Sequence, residues 1–201
     1  MHPKSSIEPA GESVDPEVAN NNRLTALTGA LLFVLLALLG ITILDVQQNL
    51  PQHFLLGFVL VPPTLLKMVS TGRRFMRYYA GDRRYRAAGP PPLFMRLLAP
   101  VVVLSTVGVF ATGIELWLFG LRFGSEWVGA HKASFFVWIA ATGLHVLGHL
   151  GRTADTVTEE LSSTPPAAFT RRSLVIGSLV VGAVIAAASL VYPSPFIFPN
   201  D

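Results

Sequence analysis

Four of the five histidines in this 201-residue chain stand inside or at the edge of apolar runs, where an ionisable side chain is costly and usually functional. His53 opens HFLLGFVLVPPTLLKMVS, and HKASFFVWIAATGLHVLGH (131–149) carries His131, His145 and His149. Only His2 lies in a polar stretch. A neutral imidazole presents one donor and one acceptor nitrogen, so in such runs it can ligate a metal, move a proton or bond a neighbouring helix. His131 and His145 are 14 residues apart, close to four helical turns. That places them about 21 Å apart along the axis and about 40° apart around it, facing one interior from opposite ends. His149, one turn further, shares the face of His145. If His53 and His131 open parallel helices, their rings lie at one depth and can grip a haem iron from both sides. The ladder to His145 then suits a second cofactor deeper in the bundle. The same 14-residue step from His53 arrives at Lys67, beside Met68, where a second opposed imidazole would be needed. Lys67 is either an unusual ligand or a cation that reaches for the surface or a haem propionate.

Helices in a hydrocarbon layer are the elements that must position these rings. The chain is 51% hydrophobic and 13% charged, with a mean hydropathy of +0.53, more apolar than a soluble domain of this size can bury. Five segments approach the roughly 20 apolar residues a span requires: 24–44, 54–70, 97–119, 133–150 and 174–192. The expected fold class is therefore all-α, an integral membrane four-helix bundle plus a fifth, C-terminal transmembrane helix. Cysteine is absent, which excludes disulfides, thiolate metal sites and C-x-x-C-H haem attachment. The first 22 residues are polar, without the apolar core of a secretory signal, and are expected to form a disordered cytoplasmic tail.

The cations orient the spans. With the N-terminus inside, twelve Lys and Arg fall on the cytoplasmic side, from Lys4 and Arg23 to the arginines at 73–96, 152, 171 and 172; only Arg122 and Lys132 fall outside. The positive-inside rule thus gives a multi-pass protein with its N-terminus in and C-terminus out; the expected location is a bacterial inner membrane. Because the basic residues flank apolar spans, the charge of +3 reads as topology and lipid contact, not nucleic-acid binding. The expected division is a tail at 1–22, a four-helix haem-binding bundle at 23–152, a cytoplasmic linker at 153–171 and the fifth helix with a short outer tail at 172–201. The arginine-rich stretch 73–92 begins as an amphipathic continuation of the second span, and GPPP ends any helix there. SSTPP at 162–166 separates the fourth span from the fifth, whose Gly177, Gly182 and Ala183 suit close packing.

Glu115 stands towards the outer end of the third span. It either pairs with Arg122 or Lys132 or accepts protons at an outer quinol site. Gly57, Gly113, Gly143 and Gly148 allow close helix approach or room for a porphyrin. Trp117, Trp127 and Trp138 serve packing and interfacial anchoring. Pro62 and Pro63 remove backbone donors midway along the second span. No phosphate-binding loop, nucleophile elbow or carboxylate pair appears in an aqueous segment, so any chemistry belongs to a cofactor in the bundle or to a partner.

The segments HFLLGFVLVPPTLLKMVSTGRRFMRYY (53–79), GPPPLFMRLLAP (89–100) and HKASFFVWIAATGLHVLGH (131–149) resemble the bacterial cytochrome b561 group. That group includes the integral b-type subunits of nickel–iron hydrogenases and formate dehydrogenases. An actinobacterial four-helix membrane module associated with molybdopterin oxidoreductases is similar as well. The resemblance covers about residues 24–152 and implies a haem b bundle exchanging electrons between quinone and a partner redox subunit. It maps two ligands onto His131 and His145 and a third onto His53, with one haem expected and a second allowed for. The pattern departs from the di-haem relatives in lacking a fourth histidine.

The expectation is an electron-transfer subunit of an oxidoreductase complex. Against it stand a histidine-lined metal-ion or proton transporter, and a cofactor-free anchoring or assembly protein whose histidines only bond between helices.

Overall fold

A computed structural model describes residues 15–90, 92–162 and 166–197. The expected tail at 1–14 lies outside these residues. Those described form six helices and no strand: α1 (Pro16–Ile43), α2 (Leu50–Tyr79), the short α3 (Arg83–Ala87), α4 (Leu93–Phe119), α5 (Glu126–Ser162) and α6 (Pro166–Ser189). All but α3 are long and apolar enough to cross a membrane. Each also presents large apolar side chains outward, among them Phe33, Val69, Leu104, Leu147 and Val184. In water such a surface would drive aggregation; against lipid tails it costs nothing. The chain is a multi-pass membrane protein in contact with lipid.

The helices outrun the apolar segments that mark them. α1 starts at Pro16, inside the stretch 1–22 expected as tail. The Asp15 side chain accepts the Glu17 amide at 2.8 Å, and Pro16 occupies the first turn, where its missing donor does no harm. Likewise α5 runs on to Ser162 and α6 begins at Pro166, so most of the expected linker at 153–171 is helical. Hydropathy misses these turns because ion pairs and polar contacts hold them. Glu160, wholly buried, accepts from Arg171 at 3.0 and 2.6 Å, while Arg23 lies 3.7 Å away and Arg172 donates to the Glu160 carbonyl. Arg171 also donates to Asn20, which binds α1 into the same knot.

α2 continues past its apolar part to Tyr79, as the amphipathic pattern predicts. Beyond it Asp82 caps α3 by accepting from the Arg84 amide at 3.1 Å. The Arg84 side chain donates to the same carboxylate and holds its pKa below the ordinary range.

Two groups of helices result. α1, α2 and α6 pack together, as do α4 and α5; α1 against α5 is the main bridge, and α2 and α5 stay apart for most of their length. α6 is more than an appended anchor. A Cβ on Gly182 would run into the Val59 backbone, so only glycine lets α6 lie this close to α2. Within the α4–α5 pair, Thr106 donates to the Val102 carbonyl at 2.6 Å and accepts the Trp138 Nε1–H at 3.1 Å. Small hydroxyl side chains bonded back to their own helix thus serve as acceptors for the neighbour.

Candidate functional site: a facing imidazole pair

At one end of the bundle the last turn of α1 meets the first turns of α2 and α5. His53 lies in the opening turns of α2, its amide bonded to the Asn49 carbonyl at 2.8 Å, and His131 lies in the second turn of α5. The two rings come together as the parallel-helix reading requires. Their centroids are 6.4 Å apart and the planes are nearly perpendicular, at 87°. Both residues are half-buried.

Each ring is held on its Nδ1 side by a threonine from a helix that carries no histidine. Thr42 Oγ1 lies 2.9 Å from His53 Nδ1, and Thr112 Oγ1 lies 2.9 Å from His131 Nδ1. Both hydroxyls spend their proton elsewhere: Thr42 donates to the Leu39 carbonyl at 2.6 Å, and Thr112 to the Gly108 carbonyl at 2.7 Å. With the proton so placed, each hydroxyl offers the imidazole a lone pair, an arrangement that suits a hydrogen on Nδ1. In that tautomer Nε2 keeps its lone pair. Gly113, beside Thr112, gives the His131 ring its space, since a Cβ there would stand 3.2 Å from His131 Cε1. One side chain from each of α1, α2, α4 and α5 therefore builds the pair.

The separation fits a shared metal. Two metal–imidazole bonds of about 2 Å each, plus the two ring radii, span roughly 6 Å in line. Among the described residues no group of three or more His, Asp or Glu gathers round a common point. The two imidazoles could supply two donors to one metal, and any further coordination positions would be filled by a ligand such as a tetradentate macrocycle. A Cβ on Gly57 or Gly143 would meet nothing within 4 Å.

The inner level is different. Lys67 lies within electrostatic reach of His145. Its Nζ, however, donates to the Thr25 carbonyl of α1 at 2.6 Å and is not directed as a ligand opposite His145. The Asn21 amide and the Thr25 hydroxyl bond Ser70 in the same seam, each at 3.0 Å, and this contact with α1 decides where the Lys67 stem points. His145 and His149 stack edge-on at 4.8 Å, successive turns of one helix, and cannot take opposite faces of one plane. His145 Nδ1 is buried without a hydrogen-bond partner among the described residues. A bis-imidazole site therefore fits the residues at the His53–His131 level and does not fit them at the His145 level.

Glu115 corrects a second expectation. It pairs with neither Arg122 nor Lys132; both carboxyl oxygens are buried without a hydrogen-bond partner among the described residues. It lies on α4 one turn beyond Thr112. Trp117 packs against Phe58 at 4.9 Å and Tyr192 at 4.8 Å, as the packing reading has it.

Sequence reasoning missed the threonines and the segment after α6. Tyr192 and Ser194 donate to the Leu118 and Trp117 carbonyls at 2.6 and 2.7 Å, and Phe196 meets Phe54, the neighbour of His53, at 6.1 Å. This segment covers the end of the bundle beside the imidazole pair. Ser194 and the aromatic residues around it were the only signal, and they read equally well as an interfacial anchor. Comparison with protein-family models, curated proteins and solved structures finds no match for the chain.

Proposed function

We propose that the chain is a membrane b-type cytochrome, an electron-transfer subunit that binds one haem b between His53 and His131. The observation that carries this reading is the pair of imidazoles 6.4 Å apart, each with a threonine hydroxyl 2.9 Å from its Nδ1. Bound haem supplies one-electron chemistry. The residues of this chain do the rest. His53 and His131 would hold the haem iron, the apolar walls of α2 and α5 would exclude water, and the segment 192–197 would close the end of the site. By the positive-inside rule this end faces outwards. Glu115, a carboxyl buried near that level without a hydrogen-bond partner among the described residues, is the group best placed to take a proton from a quinol, the expected two-electron donor in the lipid. The arginine-rich stretch 73–86 at the opposite end is the natural contact for an acidic redox subunit.

The test is a reduced-minus-oxidised visible spectrum of the purified protein. A b-type α band is expected in the wild type, with about one haem per chain, and its loss in His53→Ala and in His131→Ala. A His145→Ala variant should keep the band. A wild-type protein without haem, or alanine variants with an unchanged spectrum, would refute the assignment and favour a histidine-lined ion path or a purely structural pair.

A further inference from the structure

We propose that Thr42 and Thr112 are positioning residues that set the tautomer and the donor strength of the two iron ligands, and so help to set the potential of the site. The inference rests on the haem reading and deepens it. Its basis is a repeated arrangement on two unrelated helix pairs. In each, a buried threonine, 7% exposed, lies 2.9 Å from a histidine Nδ1. In each, the hydroxyl proton is committed to a carbonyl three or four residues earlier in its own helix. A threonine free to rotate its proton could donate to a bare Nδ1 and trap the wrong tautomer. These two cannot without giving up bonds of 2.6 and 2.7 Å.

Three consequences follow from the chemistry. The Nδ1–H is pinned, so Nε2 is the free donor on both rings. The ring planes are fixed, since rotation about χ2 would break the bond to threonine. Each acceptor also pulls on the Nδ1 proton and makes the opposite nitrogen a stronger σ donor, which favours the oxidised metal. The two helices without ligands thereby act on the metal through the two that have them. Serine preserves this arrangement; valine, of nearly the same shape, removes the hydroxyl acceptor and at His131 leaves the Val109 backbone as the remaining partner.

The experiment uses full-length protein carrying Thr42→Val, Thr112→Val, Thr42→Ser or Thr112→Ser, with an optical redox titration and a measurement of haem retention. Each valine variant should raise the midpoint potential and weaken haem binding roughly 10- to 100-fold, and each serine variant should return both towards wild type. A second measurement needs no haem: 15N spectra of the haem-free wild type should show hydrogen on Nδ1 and a bare Nε2 for His53 and His131. That measurement stands even if a valine variant fails to fold. Valine variants with wild-type potential and haem retention would overturn the proposal, as would Nε2–H tautomers in the haem-free protein. Failure of the haem reading looks different: the wild type itself would bind no haem.

Discussion

An imidazole that must bind a metal needs three things at once: a bare nitrogen, a fixed plane and room. At His131 three neighbours supply them. Thr112 holds the proton on Nδ1, the opening turns of α5 fix the Cα position, and the missing side chain at Gly113 leaves the ring its volume. The last of these can be varied alone. A Cβ at 113 stands 3.2 Å from His131 Cε1, a contact relieved by a shift of a few tenths of an ångström. Gly113→Ala should therefore keep the haem α band, while Gly113→Leu must displace the ring. Overpacking of that kind costs about 1–3 kcal/mol, and here it should also abolish the band; a Gly113→Leu protein with a full haem complement would show that the ring does not need this space. The histidines themselves were readable in the sequence because two rings opening parallel spans must share a depth. Their threonines were not. Thr42 belongs to the end of a different span, and nothing in its spacing from His53 says that its hydroxyl is already committed to Leu39. Lys67 shows the same limit from the other side: spacing singles it out, but the carbonyl of Thr25 decides its direction.

At the scale of elements, the apolar runs marked five helices and misplaced several of their ends. Hydropathy reports the part of a helix that lipid stabilises; the turns at 16–22 and 153–162 are stabilised by polar partners distant in sequence. Glu160 makes this testable. It is fully buried beside Arg171, itself 5% exposed, and it joins α5 and α6 to Arg23 of α1. Removing one partner of a buried ion pair leaves the other charge without compensation, at a cost of about 3–5 kcal/mol. Glu160→Ala should lower the thermal midpoint in detergent sharply. Glu160→Leu combined with Arg171→Met should recover much of the loss, because both charges are then gone. Equal destabilisation in the single and double variants would mean that the knot acts through shape and not through charge. α5 is described to Ser162 and α6 from Pro166, where proline in the first turn does no harm, and the rest of SSTPP lies outside the described residues.

The whole molecule is two helix groups. α1, α2 and α6 form one and α4 and α5 the other, and α2 and α5 make few backbone contacts with each other. His53 belongs to the first group and His131 to the second, so a metal held by both rings would add a tie between the groups. Binding to the folded state alone stabilises it by mass action, about 2.7 kcal/mol when free ligand is a hundredfold above its dissociation constant. Haem-loaded protein should therefore melt at a higher temperature than the same protein stripped of haem, and His131→Ala should erase that difference because the second group can no longer be reached. Gly182→Leu provides the contrast. It pries α6 from the Val59 backbone inside the first group, so loaded and stripped forms should both lose stability and keep their separation. Were the loaded and stripped wild-type forms to melt together, the metal would not be bridging the groups, and the facing rings would be joined by nothing more than the helices that carry them.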